Sequence, residues 1–212
     1  MKKYIFFSPA LLLAMLLSTC AEQSPVGSFE KHFDKVVVIK TNKVCASGFY
    51  TGTGFFVGPE TIACSAHAFK DDLDSAQIIT LDSMIYTGRL IFIDPLIDIA
   101  FLSVVNAPCN VYFDIDGQKP LYKRNQVVCA ISHPKGVYTW STIYGFWDTG
   151  SDRDSLIKYD MFVVGGMSGS SIITQDGQLQ GMLVQGGTKQ AENFAKVIPT
   201  YWIQQKYKEM QK

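Results

Sequence analysis

The sequence predicts an all-β fold of two six-stranded antiparallel β-barrels followed by a C-terminal helix, and three observations carry that prediction. From residue 35 onward, short runs rich in Val, Ile, Thr, Phe and Tyr alternate with turns marked by Gly, Pro and Asp, as expected of strands. The runs fall into two successive groups of about six. NAPCN and DIDGQKP interrupt them over roughly 106–120, in the middle of the mature chain. A single β-sandwich is the alternative. The central break favours two barrels side by side.

The first twenty of the 212 residues differ in kind. Lys2 and Lys3 precede an apolar run from Tyr4 to Leu17, broken only by Ser8 and Pro9. The run is too short to span a bilayer and reads as a secretory signal peptide, residues 1–20. Two cleavage sites compete. Leu17-Ser18-Thr19-Cys20 resembles a bacterial lipobox, which would leave Cys20 lipidated, although Thr19 departs from the usual Gly, Ala or Ser. Cleavage after Ala21 would instead release the protein. The lipoprotein reading leads, with residues 21–34 as a tether, because AEQSPVGS is polar and contains Pro and Gly. The expected location is the periplasm or cell envelope, with membrane attachment through Cys20.

The first group of strands is VVVIKT (36–41), GTGFFVG (52–58), TIACSA (61–66), AQIITL (76–81), IYTGRLIFI (85–93) and IAFLSVV (99–105). They form an N-terminal barrel over 35–108, and residues 109–120 are the linker. The second group is NQVVCAIS (125–132), YTWSTIYGF (138–146), LIKYDM (156–161), SSIIT (170–174), QLQGMLVQ (178–185) and FAKVIP (194–199). These form the C-terminal barrel over 121–199. Residues 200–212 lack turn residues and read as a helix. No internal repeat is visible.

Nearly half the residues are apolar, enough for a sizeable core. Nineteen basic residues balance nineteen acidic ones, so no basic patch points to nucleic acid. Export implies an oxidising space. Cys45, Cys64, Cys109 and Cys129 allow three pairings, which sequence cannot separate. Cys45–Cys64 is the favoured bridge, because their segments look like neighbours in one barrel. Four buried thiols are the alternative. Cys129 and His133 have a zinc-like spacing but lack a CxxC partner. No metal or cofactor is expected.

Three segments carry the chemistry. His67 follows an apolar strand in Cys64-Ser65-Ala66-His67. Asp98 stands before the apolar strand Ile99-Ala100-Phe101-Leu102; a carboxylate there needs a hydrogen-bonding partner, which an imidazole supplies. Asp94, before Pro95, suits a turn cap better. Ser168 is flanked by glycines in Gly165-Gly166-Met167-Ser168-Gly169-Ser170, so the backbone can aim N–H groups at one point. Gly166, Met167 and Ser168 are the oxyanion-hole segment, with the N–H groups of Gly166 and Ser168 as the candidate donors. A hydroxyl needs a base, and the base needs an orienting group. His67, Asp98 and Ser168 supply these parts in the order His, Asp, Ser. An α/β-hydrolase would place a His after the serine, and none follows Ser168.

GTGFFVG followed by SAHAF resembles the opening motif of trypsin-like serine proteases of the chymotrypsin and HtrA type. Asp94-Pro95-x-x-Asp98-Ile99-Ala100 is similar to their aspartate motif, Gly166-Met167-Ser168-Gly169-Ser170 to their nucleophile loop, and Leu179-Gln180-Gly181-Met182 to the strand after it. The resemblance runs from about 35 to 205. It implies a chymotrypsin-like double barrel with the active site between the barrels. Met167 stands where digestive trypsins have an aspartate, so no N-terminal activation switch is expected. No PDZ domain is expected after the barrels.

The resemblance implies an exported serine endopeptidase acting on protein or peptide substrates. Substrate backbone would pair with Val184-Gln185-Gly186. Phe162, Val163, Val164, Val184, Gly186 and Phe194 would line the specificity pocket, favouring a small or medium apolar P1 residue. Strand core is the alternative reading of these six. One rival function is a non-catalytic, peptide- or partner-binding relative at the cell surface. The other is an esterase or acyl transferase on the same fold. Oligomeric state has no signature in the sequence.

Overall fold

The computed structural model describes residues 29–45, 48–69, 73–107, 110–116, 126–134, 141–151, 156–186 and 194–212. Six antiparallel strands close the first barrel in the order β1-β2-β3-β6-β5-β4. They are β1 (Val36–Cys45), β2 (Gly48–Gly58), β3 (Thr61–Ser65), β4 (Ser75–Ile79), β5 (Ile85–Asp94) and β6 (Ile99–Ser103). The second barrel comprises β7 (Val127–Ser132), β8 (Ser141–Ser151), β9 (Ile157–Asp160), β10 (Ser171–Thr174), β11 (Leu179–Gly186) and β12 (Phe194–Pro199). It closes as β10-β11-β12-β9-β8-β7, the same winding as the first barrel. One topology is thus used twice without a visible sequence repeat. Helix α1 (Thr200–Met210) ends the chain.

The strand sequences explain the packing. Val37, Ile39, Phe56, Ile62 and Leu102 fill the first barrel, and Val128, Ile172, Leu183 and Val197 the second. Their neighbours of opposite parity, Val36, Phe55 and Phe101, meet Ile131, Ile173, Met182 and Ile198 between the barrels. Successive strand residues point to opposite faces. Strands buried on both faces therefore read as continuous apolar runs, as VVVI and GFFV do. A fully buried side chain of this size contributes about 1.5–3 kcal/mol, so the shared core holds the two barrels together. Helix α1 reaches both barrels, with Ile203 in the shared core and Tyr207 edge-on to Phe101 at 5.6 Å.

Two segments expected to be loose are packed. Phe29 is fully buried and meets the Tyr144 ring edge-on at 5.6 Å. Residues 29–34, expected as part of the tether, are therefore docked, with Phe29 anchoring them on the shared core. Phe113 and Ile115 of the linker are buried there too, and Phe113 donates its N–H to Phe56 O at 2.9 Å. Among the described residues no helix is long and apolar enough to cross a membrane. Residues 1–28, with the expected signal peptide and Cys20, lie outside the described residues, as does Cys109.

The Cys45–Cys64 bridge is corrected. Cys64 is a free, buried thiol. It pairs with Gly54, which pairs with Val37 on β1, whereas Cys45 ends β1 opposite Gly48. The separation along β1 is on the order of 20 Å, far beyond disulfide reach. Burial, with the Asp98 charge nearby, pushes the Cys64 thiol well above its ordinary range. Burial likewise pushes Cys129 up to about 12. Both are inert apolar fillers.

His32 links stability to pH. Its ring lies 5.8 Å from that of Phe113, and both ring nitrogens are buried without a hydrogen-bond partner among the described residues. Desolvation, then the charges of Lys35 and Lys31, lower its pKa from 6.5 to about 4. The unfolded chain takes up this proton near pH 6.5, while the folded protein resists until about pH 4. Stability is therefore lost as pH falls through that window and is unaffected above it. We expect a loss of about 1–2 kcal/mol between pH 7 and pH 5. Urea midpoints at the two pH values should shift less in His32→Leu; an equal shift would assign the effect to other groups.

Candidate active site

The turn between β5 and β6 presents Asp98. Asp94 Oδ1 accepts the N–H groups of Leu96 and Ile97 at 3.0 and 3.4 Å, and Oδ2 pairs with Lys206 of α1 at 3.0 Å. Burial opposes the Asp94 charge, but Lys206 and the turn amides outweigh it and hold the carboxyl below its ordinary range. Asp94 is therefore a turn cap tied to the helix. Asp98 closes the turn at φ +63, a left-handed conformation that Asp and Asn tolerate better than most residues.

Strands β3 and β6 pair Ser65 with Ile99, which brings the 3-10 turn Ala66–Phe69 alongside Asp98. Asp98 O accepts Ala66 N–H at 3.2 Å, and Oδ1 accepts His67 N–H at 2.8 Å. Oδ2 lies 2.7 Å from His67 Nδ1. The carboxylate thus grips backbone and ring together. A carboxylate only accepts, so Nδ1 carries the proton and the Nε2 lone pair faces away from Asp98. Both side chains remain partly exposed, His67 at 30% and Asp98 at 27%.

Ser168 arrives from the second barrel. Gly166 and Gly169 adopt φ +90 and +87, bending the chain sharply on both sides of the serine. Buried Met167 packs into the second barrel, and its sulfur accepts Val164 N–H at 3.3 Å. Met167 N–H bonds back to Val164 O at 3.3 Å, and Ser170 N–H to Met167 O at 3.0 Å. Met167 N–H is therefore engaged. Among the described residues, the N–H groups of Gly166 and Ser168 make no such bond.

Thr53 of β2 seats this loop against the first barrel. Its N–H donates to Ser168 O at 2.9 Å, and its hydroxyl donates to Gly166 O at 2.9 Å. The same hydroxyl oxygen accepts His133 N–H at 3.2 Å, the place His133 takes in the fold. Gly169 lies so close that a Cβ there would stand 1.9 Å from Thr53 O and 3.5 Å from Ser65 N. Ser168 is thus held beside the strand end that carries His67. Sequence reading had not singled out Thr53, although it lies inside GTGFFVG between two glycines. Tyr50 was also missed. Its Oη lies 3.2 Å from His67 Nε2.

Of the expected pocket residues, Phe162 is 60% exposed, while Val163 and Val164 pack partly against the second barrel. Val184 is buried in the shared core. Gln185 and Gly186 pair with Lys196 and Ala195, and Phe194 with Asp160. No group of three or more His, Cys, Asp or Glu among the described residues is arranged to hold a metal.

The sequence model of the trypsin-like peptidase domain matches residues 52–182. Among solved structures, the serine endoprotease from Yersinia pestis superposes with a TM-score of 0.75 at 19% identity, over 90% of this chain and 67% of that one. That likeness is one of fold. No curated protein sequence matches the chain.

Proposed function

The chain belongs to the trypsin-like peptidase domain family and is a serine peptidase, and we propose that it cleaves peptide bonds with Ser168 as nucleophile, His67 as general base and Asp98 as its orienting carboxylate. The observation that carries this reading is the double grip of Asp98 on His67, through the ring at 2.7 Å and the backbone at 2.8 Å.

Ser168 Oγ attacks the scissile carbonyl carbon while His67 Nε2 takes the hydroxyl proton. Asp98 stabilises the imidazolium that results. The N–H groups of Gly166 and Ser168 receive the negative oxygen, a contribution of about 3–4 kcal/mol per donor in such sites. Collapse breaks the C–N bond, and the leaving amine takes the proton from His67. Water then attacks the acyl group by the same route in reverse roles.

The apolar character of Phe162, Val163, Val164 and Phe194 supports a small or medium apolar P1 residue. The sequence Val184-Gln185-Gly186 at the end of β11 suits antiparallel pairing with substrate. The Lys2–Cys20 segment supports export with a lipid on Cys20.

One experiment tests the assignment. A fluorophosphonate exchanges its fluoride for Ser168 Oγ, with the proton passing to His67. Folded protein should gain one adduct, mapped to Ser168, and Ser168→Ala should gain none. Absence of the adduct from folded wild type would leave the binding-protein reading instead. Intact mass of the same sample, isolated from cells, reads the N-terminus: a diacylated Cys20 is expected, and an unmodified N-terminus at Glu22 would refute anchoring.

A further inference from the structure

We infer that Tyr50 is a latch on the catalytic base: its hydroxyl donates to His67 Nε2 and must leave before that nitrogen can take the Ser168 proton. The inference rests on the reading of His67 as general base. Asp98 Oδ2, 2.7 Å from Nδ1, fixes the ring proton on that side. Nε2 then offers a single in-plane lone pair. Tyr50 Oη stands 3.2 Å from it. Among the described residues His67 Nε2 has this bond and none to Ser168 Oγ. One lone pair cannot serve both hydroxyls, so the contact and the proton transfer exclude each other.

The surroundings hold the latch in place. The Tyr50 ring meets the imidazole edge-on, with centroids 5.7 Å apart at 81°. Lys43 Nζ donates to His67 O at 2.5 Å and lies 5.6 Å from the centre of the Tyr50 ring. One ammonium thereby braces both the histidine backbone and the tyrosine face. Gly52 supplies the space. A Cβ at that position would stand 2.7 Å from Tyr50 Oη and 2.9 Å from Cε1. Gly52 is not among the residues with positive φ, so an alanine fits its backbone. The nearest atoms the added methyl would meet are those of the movable end of Tyr50, so it would push the hydroxyl off His67.

Two substitutions therefore open the same latch by different routes. Tyr50→Phe keeps the ring and removes the donor. Gly52→Ala keeps the donor and displaces it. A net hydrogen bond lost from the resting state corresponds to a rate gain of about 2–10-fold. Diisopropyl fluorophosphate is the probe, read as the second-order rate of Ser168 modification at pH 7.5. Each single variant should react about 2–10-fold faster than wild type, and the double variant no faster than Tyr50→Phe, because both remove one contact. A Tyr50→Phe rate equal to or below that of wild type would overturn the latch while leaving the base assignment standing. Additive acceleration in the double variant would place the effect in strand β2 rather than in the hydroxyl, and overturns it too. If neither wild type nor any variant is modified, the base assignment itself falls and the latch falls with it.

Discussion

Asp98→Asn is expected to slow acylation of Ser168 by about 10⁴-fold while leaving the protein folded. The position is suited to separating chemistry from folding. Asp98 sits at φ +63, where asparagine is as well tolerated as aspartate. The asparagine carbonyl oxygen can still accept His67 N–H, the bond Oδ1 makes at 2.8 Å. Its NH₂ group then faces Nδ1. A donor in that place forces Nδ1 to accept, so the ring proton moves to Nε2. His67 keeps its position but presents a proton where a lone pair is needed. Asp98→Ala would lose the backbone grip as well and place a less tolerant residue in the left-handed region, mixing strain with catalysis. The measurement is the rate of fluorophosphonate modification beside thermal unfolding. A wild-type rate in folded Asp98→Asn would exclude Asp98 as the orienting group.

The elements legible in the sequence are those with local signals. Twelve apolar runs bounded by turn residues correspond to twelve strands, since each run must bury its own faces. Where pairing partners decide, the runs understate the strands. β1 continues beyond Thr41 to Cys45 through an irregularity after Lys40, and β8 runs past Phe146 to Ser151. The added residues are held by ladder bonds to β2 and β9, which no local propensity reveals. The same limit explains the Cys45–Cys64 error. Adjacent segments suggested proximity, but register along a strand is a long-range property.

The site divides in the same way. His67, Asp98 and Ser168 could be named because each sits at a strand end or glycine turn with its own signature. Thr53 could not, because its role depends on meeting Gly166, 113 residues away. Tyr50 lies just before the run GTGFFVG, and nothing local shows that its hydroxyl reaches His67. Phe29 was hidden in a polar stretch, where a lone aromatic gives no periodicity. Its burial becomes evident only once the shared core exists to receive it.

The second large effect is expected at Gly169. Gly169→Ala should lower the rate of Ser168 modification by at least about 10²-fold and destabilise the fold. Two independent features forbid a side chain there. At φ +87 an L-residue is strained whatever the space. A Cβ would also lie 1.9 Å from Thr53 O and 2.9 Å from Thr53 C, both backbone atoms of a paired strand. Neither can yield as a side-chain tip would, so the loop must lift from β2. Lifting it breaks the bond from Thr53 N–H to Ser168 O at 2.9 Å, and the serine moves away from the histidine turn. A displacement of about 1 Å costs about 100-fold when a reacting pair must be aligned. Gly165→Ala is the control. It stands three residues before the same serine, has no atom within 4 Å of an added Cβ, and lies outside the positive-φ set. Its rate should stay near wild type. If Gly169→Ala also reacts at the wild-type rate, the loop is not seated on Thr53 in solution, and the first barrel's part in aligning the nucleophile is refuted.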